Sequence, residues 1–421
     1  MSTVDVGILG FGTVGEGVYQ TIYDRKERFA SVIKANIRVP VVLVKSLHKK
    51  RNINEETVVT NEFSHIETHP TLSIVVEAMP DAKNAYPYVY SLLKRGVHVV
   101  SANKELIAQY GEQLRSVAKE EGVAFLYEAS IAAGVPLLNT VQNALNINGI
   151  HSIEAIVNGT SNYILSEMKS RDISFAEALN DAQDLGYAEA DPSKDVDGWD
   201  AYYKAKLLCE TIYHCSPNWP IDSPLGIREI ETTDLNLVER LGGKLKPLIR
   251  LEKTTSGVNG TVEPTVLWTN HPLFEVEGVD HAIVLETDLA GTLTLQGPGA
   301  GKYPTASAIV EDMFYILTSR YKRERKTWKT LRTKGEEPCQ NEENRLFWCV
   351  ISSSGFVDSV RKQGVMIWEQ VQHPSTKRIA MIIEGKRNVI KQWHQNKYIE
   401  QAYPISGGTP FKVEGKEKVL G

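Results

Sequence analysis

The chain has 421 residues, enough for two or three domains that each bury a core of their own. Its apolar and charged fractions, 42% and 24%, are ordinary for a soluble globular protein, and 47 basic against 52 acidic side chains leave a net charge of −5. That balance speaks against a general nucleic-acid or membrane surface. No apolar run reaches the length of a membrane span, and the N-terminus, with Asp5 in a strand-like run, lacks the pattern of a signal peptide. Cys209, Cys215, Cys339 and Cys349 form no C-x-x-C pair. Their spacing fits neither a disulfide framework nor a zinc site, so they read as reduced thiols of a cytoplasmic protein.

Val4–Leu9 predicts a short buried strand that runs into Gly10-Phe11-Gly12-Thr13-Val14-Gly15, with a helix over Glu16–Tyr23. This is G-x-G-x-x-G between strand and helix, the context in which it binds dinucleotides. Gly10 allows the tight turn, Gly12 lets the backbone approach a pyrophosphate, and Gly15 permits close helix–strand packing. The same residues also suit a glycine-rich turn without a ligand. A second strand, Pro40–Val44, ends not in the carboxylate that holds the ribose of NAD but in Lys45, followed by His48, Lys49, Lys50 and Arg51. Cations there suit a 2′-phosphate, so NADP(H) is the expected cofactor, with NAD(H) left open; a solvated basic turn is the other reading. Strand Ser73–Ala78, helix Tyr86–Lys94 and strand Val97–Ser101 continue a β-α-β-α-β order, hence a doubly wound parallel sheet. Ala102-Asn103-Lys104 follows the last of these strands, where such sheets hold their ligands, and places Lys104 to meet substrate or nicotinamide. Strand Ala124–Tyr127 leads to Glu128 and a run of small residues through Pro136.

Strand Ile153–Val157 precedes Asn158-Gly159-Thr160-Ser161-Asn162-Tyr163, which offers hydroxyls, an amide and free N–H groups to a small zwitterion, or simply an N-capped helix start. Then comes Gly186–Lys204, GYAEADPSKDVDGWDAYYK. Asp200 and Lys204 are four apart, so a helix starting near Asp197 puts them on one face. A carboxylate one turn before a lysine fixes its position and charge, which suits a proton donor; a solvated acidic loop with a surface salt bridge is the alternative. Gly257–Leu267 and His281–Leu295, with a turn at Asp288 and Gly291, read as antiparallel strands of a separate sheet, and the glycine-rich run from Gly297 opens a helix to about Thr318. A charged linker is expected over 321–344. Beyond it, strands at Leu346–Ile351, Met366–Gln370, Ile379–Glu384 and Ile399–Pro404 and helices at Gly355–Lys362 and Asn388–Gln395 give a ferredoxin-like β-α-β-β-α-β order, with a loose tail over 407–421.

The motifs GILGFGTVGEGV, HVVSANKELIA, YEASIAAGVP, IVNGTSNYIL, GYAEADPSKDVDGWDAYYK and GPGAGKYPTASAIVEDM span residue 6 to about 320. In this order they resemble the homoserine dehydrogenase family. The resemblance implies an α/β chain in three parts: a Rossmann-type NAD(P)-binding domain (1–132 with 297–320), an α+β substrate-binding and dimerisation domain (133–296), and an ACT-like ferredoxin fold (345–406). It implies NADPH-dependent reduction of L-aspartate 4-semialdehyde to L-homoserine in threonine, methionine and isoleucine biosynthesis, by a homo-oligomer that is at least a dimer. Lys204 then matches the proton donor and Asp200 the carboxylate that positions substrate. Glu189 matches the acid that holds the substrate amino group, beside Tyr187, Gly159 and Thr160. Lys104 matches the active-site lysine. Gly10, Gly12, Thr13, Val14, Gly15, Gly186 and Gly301 match cofactor contacts, and Lys45 the 2′-phosphate ligand. A structural sodium ion would use Glu128 with the carbonyls of Ile131, Ala133 and Val135. The remaining acids, Asp191, Asp195 and Asp197, are expected to shape the loop and cap the helix that carries Lys204.

The chain departs from the family pattern at Pro80-Asp81, where Gly-Gly is usual, at Lys302, and at Tyr202-Tyr203. At the C-terminus, Ser352-Ser353-Ser354-Gly355 keeps only the glycine of the Asp-x-Pro-Gly turn by which ACT domains hold amino acids, so an amino-acid effector and a purely assembling role both stay open. The alternatives to the main reading are a related dehydrogenase acting on another amino-acid substrate and a catalytically silent regulatory paralogue.

Overall fold

Continuous apolar runs make the first sheet. A computed structural model describes residues 2–219, 224–318, 346–362, 365–395 and 398–407; the expected linker, and all but the first residue of the expected tail, lie outside them. Strand β1 (Ser2–Leu9) buries Val6, Ile8 and Leu9 completely, as a strand covered on both faces must. It lies between β2 (Ala35–Leu43) and β4 (Leu72–Glu77), paired in parallel with both. With β3 (Val58–Thr60), β5 (His98–Ser101) and β6 (Phe125–Leu126) the order is β3-β2-β1-β4-β5-β6, the doubly wound arrangement expected from the sequence. The three-residue β3 carries too short a pattern to be read in advance.

The helices of this part are α1 (Thr13–Asp24), α2 (Lys26–Ile33), α3 (Ser64–Glu67), α4 (Ala82–Lys94), α5 (Lys104–Glu121), α6 (Ala129–Ala132) and α7 (Leu137–Asn139). Asp81 is the N-cap of α4, its Oδ1 accepting the N–H of Lys83 at 2.8 Å and of Asn84 at 3.3 Å. That gives one of the unusual residues of the Pro80-Asp81 loop a structural duty.

The middle of the chain adds β7 (Ile150–Ile156), α8 (Gly159–Arg171), α9 (Phe175–Asp184), α10 (Ser193–Val196), α11 (Trp199–Ile212) and α12 (Thr232–Arg240). Strands β8 (Gly243–Thr254), β9 (Gly257–Trp268), β10 (Asp280–Thr287) and β11 (Thr292–Pro298) then lead into α13 (Lys302–Leu317). The long hairpin β8–β9 is the backbone of the second sheet. Its first strand was not foreseen, because Lys244, Lys246, Arg250, Glu252 and Lys253 mask the apolar alternation of Leu245, Ile249 and Leu251. Lys246 is nevertheless buried, held by the Val276 carbonyl at 2.6 Å and by Glu277 at 3.0 Å.

The C-terminal segment forms β12 (Leu346–Ser353), α14 (Phe356–Lys362), β13 (Ile367–Gln372), β14 (Arg378–Gly385), α15 (Arg387–Gln395) and β15 (Gln401–Ser406). Its β15-β12-β14-β13 order is that of a ferredoxin-like sheet. The module is not a free-standing body. Strand β15 pairs in parallel with β9, so both sheets merge into one of nine strands, β11-β10-β7-β8-β9-β15-β12-β14-β13. The cause is legible in the strands, which are apolar on both faces. Trp348, Val350, Met381 and Ile383 pack under α14 and α15. Cys349, Ile351, Ala380 and Ile382 share a core with Ile164, Leu165 and Met168 of α8 and with Leu237 and Val238 of α12. Arg387 grips buried Glu263 of β9 through two bonds of 2.7 and 2.8 Å, and Arg378 reaches Asp234 of α12 at 2.7 Å.

Contacts divide the chain into two compact units. One holds the described residues within 1–149, 203–217 and 295–336, the other those within 150–202, 218–294 and 337–421. The division falls within α11, between Tyr202 and Tyr203. Among the described residues no helix is long and apolar enough to cross a membrane.

Candidate active site

The nucleotide fingerprint behaves as its chemistry requires. Gly10 has φ +92°, and a Cβ there would stand 2.6 Å from the Ala78 carbonyl oxygen. A Cβ on Gly15 would stand 2.0 Å from the Gly10 oxygen, while one at Gly12 would meet open space. Gly12 is also the N-cap of α1, and with no side chain it leaves the first-turn N–H groups of Thr13 and Val14 available to an anion. The donor set and the room at Gly12 fit a dinucleotide pyrophosphate. A further glycine, Gly17, lies outside the G-x-G-x-x-G fingerprint but within the longer motif GILGFGTVGEGV. Its Cβ would stand 2.8 Å from Lys302, which is how α13 comes close to α1. Lys302 pairs with Glu16 at 3.0 Å, which accounts for a lysine at that position. Gly301, with φ +118°, turns the chain into α13.

Lys45 is exposed two residues beyond the end of β2. The basic turn that follows is folded by Arg51, which donates to the carbonyls of Ser46 and Lys49 at 2.7 Å each. Lys104 is the first residue of α5, behind the N-cap Asn103, whose Oδ1 accepts the Leu106 N–H at 3.0 Å.

Asp195 and Asp200 meet at one amide. Asn158 ends the loop after β7, and its Oδ1 accepts the N–H of Ser161 at 2.8 Å as the N-cap of α8. Its Nδ2 donates to Asp200 at 2.9 Å and to Asp195 at 2.8 Å. The N-G-T loop is thus a capped helix start, and the capping side chain also holds two carboxylates. Ser161 donates to the Asp195 carbonyl at 2.9 Å, which completes a network of α8, α10 and α11. Asp200 is 4% exposed and Lys204, one turn along the same helix, 8% exposed. Charged residues are rarely buried so deeply without a partner or a task.

Tyr187 and Glu189 lie on the exposed loop after α9. Thr160 donates to the Tyr187 carbonyl at 2.6 Å, Gln183 to the Glu189 carbonyl at 3.0 Å, and the Tyr187 ring meets Tyr163 edge-on at 5.0 Å. Gly186, with φ +75°, starts this loop. Of the remaining acids, Asp191 and Asp195 shape the loop as expected and Asp197 departs from expectation. Asp197 does not cap α11; it is engaged by Arg228 through bonds of 2.8 and 3.1 Å, and α11 opens from Gly198. Asp191 caps the turn at Ser193. Asp195 joins the Asn158 network, a role with no local sequence signal because its partner lies 37 positions away. Tyr202 stacks on Trp219 at 4.3 Å, away from the Asp200 and Lys204 face.

The loop after β6 is built on Glu128. Its carboxylate accepts the N–H of Leu138 at 2.9 Å and of Asn139 at 2.6 Å, as well as the Asn139 side-chain amide at 2.7 Å. Its own N–H donates to Asp312 of α13 at 3.0 Å. Burial and the neighbouring Glu128 push Asp312 up to about 7. Ala133 sits at φ +48°, a costly conformation for a residue with a side chain. Ile131 and Val135, on either side of it, are buried.

Two family models match the chain: "Homoserine dehydrogenase, NAD binding domain" over residues 10–128 and "Homoserine dehydrogenase" over 136–314. The homoserine dehydrogenase of Lactococcus lactis is 36% identical over 318 residues, 75% of this chain and 74% of its own length. That of Bacillus subtilis is 35% identical over 318 residues, 75% and 73%. Among solved structures, homoserine dehydrogenase from Thiobacillus denitrificans superposes with TM-score 0.83 at 27% identity, covering 96% of this chain and 99% of that one. The S. aureus enzyme gives TM-score 0.79 at 28% identity, covering 97% and 100%. A hyperthermophilic archaeal homoserine dehydrogenase in complex with NADPH gives TM-score 0.63 at 29% identity, covering 75% and 97%. With both of its family models matched, and relatives more than a third identical over three quarters of its length, the chain belongs to the homoserine dehydrogenase family.

Proposed function

We propose that this oxidoreductase reduces L-aspartate 4-semialdehyde to L-homoserine with NADPH, that Lys204 is its proton donor, and that Asp200 positions Lys204. The observation that carries the residue assignment is a lysine and a carboxylate both buried one turn apart on α11, with the carboxylate tied to the Asn158 amide. When bound, the nicotinamide supplies the hydride for the aldehyde carbon. As negative charge builds on the carbonyl oxygen, Lys204 Nζ gives that oxygen its proton, a transfer worth roughly 10²–10⁴-fold in rate. Glu189 holds the substrate ammonium, with Tyr187, Gly159 and Thr160 beside it, and Lys104 contacts cofactor and substrate. NADP(H) is preferred over NAD(H): no carboxylate follows β2 to take ribose hydroxyls, and Lys45 heads an ordered basic turn.

The loop from Glu128 to Val135 would hold sodium. Its donor set is all oxygen and carries little charge, which suits a hard cation. Glu128, whose carboxylate is fixed by three N–H donors, and the carbonyls of Ile131, Ala133 and Val135 would hold the ion. Its role is structural, fixing the loop that meets α13. The chain assembles as at least a homodimer in the cytoplasm. The ferredoxin-like module acts as an ACT-type domain whose first duty is assembly, since it shares a sheet with β9 and a core with α8 and α12.

The test is NADPH oxidation on adding aspartate semialdehyde, run against a panel of other amino-acid aldehydes. Turnover is expected with aspartate semialdehyde above all others. Preference for another aldehyde overturns the substrate assignment.

A further inference from the structure

Glu77, the last residue of β4, has no part in the assignments above, yet its side chain is 0% exposed. Burial pushes its carboxyl pKa up, against the pull of the groups that donate to it. An apolar side chain of similar volume would fill this site without that cost. The partners of Glu77 are specific. Oε2 accepts the Ser101 hydroxyl at 2.5 Å, and Oε1 accepts the Met79 N–H at 2.8 Å and the Asn103 amide at 3.3 Å. The Asn103 amide also donates to the Met79 carbonyl at 3.0 Å, and the Asn103 N–H to the Ser101 hydroxyl at 3.0 Å. All these groups belong to the carboxyl ends of the neighbouring strands β4 and β5 and to the loops that leave them. That is the edge of the sheet where ligands bind.

We propose that Glu77 is a positioning residue that sets Lys104 for the cofactor. The route is short. Glu77 and Ser101 hold Asn103, Asn103 caps α5, and Lys104 is the first residue of that helix. Without the carboxylate, the cap loses the anchor that fixes where α5 begins. A shift of about 1 Å in such a group is enough to cost function. The same carboxylate holds Met79, so the Met79-Pro80-Asp81 loop and the turn before Lys104 are tied to one side chain. The inference rests on the reading of Lys104 as a cofactor contact.

A double-mutant cycle on the NADPH dissociation constant, read by fluorescence titration, tests it. Glu77→Gln keeps the shape but replaces an acceptor with a donor. It is expected to weaken NADPH binding about tenfold, within the coupling seen between contacting residues. Combined with Lys104→Ala, it should add no further loss to that of Lys104→Ala alone. A purely structural Glu77 would make the two losses multiply, and that outcome overturns the proposal, as does wild-type affinity in either single variant. Should Glu77→Gln fail to fold, Ser101→Ala, which removes one donor, enters the same cycle under the same criteria. Turnover of aspartate semialdehyde is followed in parallel. Coupled losses without turnover refute the substrate reading and leave Glu77 standing; turnover with multiplying losses does the reverse.

Discussion

Replacing Asn158 by aspartate separates two duties that the native side chain performs together. Its Oδ1 caps α8 through Ser161, and Asp is as good an N-cap as Asn, so the helix start survives. Its Nδ2 is the donor to Asp195 and Asp200, and the introduced carboxylate would face both with a third negative charge. Hydrogen bonds to charged groups are each worth about 1.5–3 kcal/mol. Loss of the bond to Asp200 alone therefore removes about 1.5–3 kcal/mol of the free energy that fixes this carboxylate. If that fixing is needed in the transition state, kcat falls roughly 12- to 140-fold at about 1.4 kcal/mol per factor of ten. The assay is steady-state NADPH oxidation at saturating aspartate semialdehyde, with thermal unfolding in parallel. Asn158→Ser keeps a cap and removes the donors without adding charge, and should lose less than Asn158→Asp. A kcat within about threefold of wild type for Asn158→Asp, in a folded protein, would refute the reasoning.

Cofactor choice is read by steady-state comparison: NADPH should be preferred, and Lys45→Glu should reduce that preference, whereas NADH preferred by the unmodified chain contradicts the reading of the basic turn. Asp5, a buried residue of β1, accepts two bonds from Arg38 at 2.8 and 2.9 Å, and the guanidinium holds its carboxyl below the usual range. Its contribution is therefore complete above the unfolded carboxyl pKa and is lost as pH falls through the lower folded value. Asp5→Asn should destabilise by about 1–2 kcal/mol at pH 7, with the gap to wild type closing in acid; a gap that widens in acid contradicts this sign. Ending the chain at residue 318 strips the cover from Leu237, Val238 and Ile164. With about 1.5–3 kcal/mol at stake for each large buried side chain, the shortened protein should unfold at lower temperature or aggregate. An unchanged unfolding midpoint would show the C-terminal module to be dispensable for the core.

Much of this was legible in the sequence where the physics is local. Gly10 and Gly15 announce a turn that no side chain fits, with room left open at Gly12, and the spacing of Asp200 and Lys204 puts them one helical turn apart whatever surrounds them. What stayed hidden depends on partners far along the chain. Asp195 looks like any loop acid until Asn158 is brought beside it, and Asp197 reads as a helix cap until Arg228 claims it. Strand β8 was lost behind its lysines. The merger of the C-terminal module with β9 is written in the two-faced apolar pattern of β12 and β14, but only pairing in space says which surface covers the second face.

The central claim is that Lys204 delivers the proton during reduction of aspartate semialdehyde. The direct measurement compares NADPH oxidation by the native chain and by Lys204→Ala, with NADPH affinity determined for both. The account predicts turnover in the native chain, its loss in Lys204→Ala, and NADPH affinity within about twofold between them. Near-normal turnover in Lys204→Ala would contradict it.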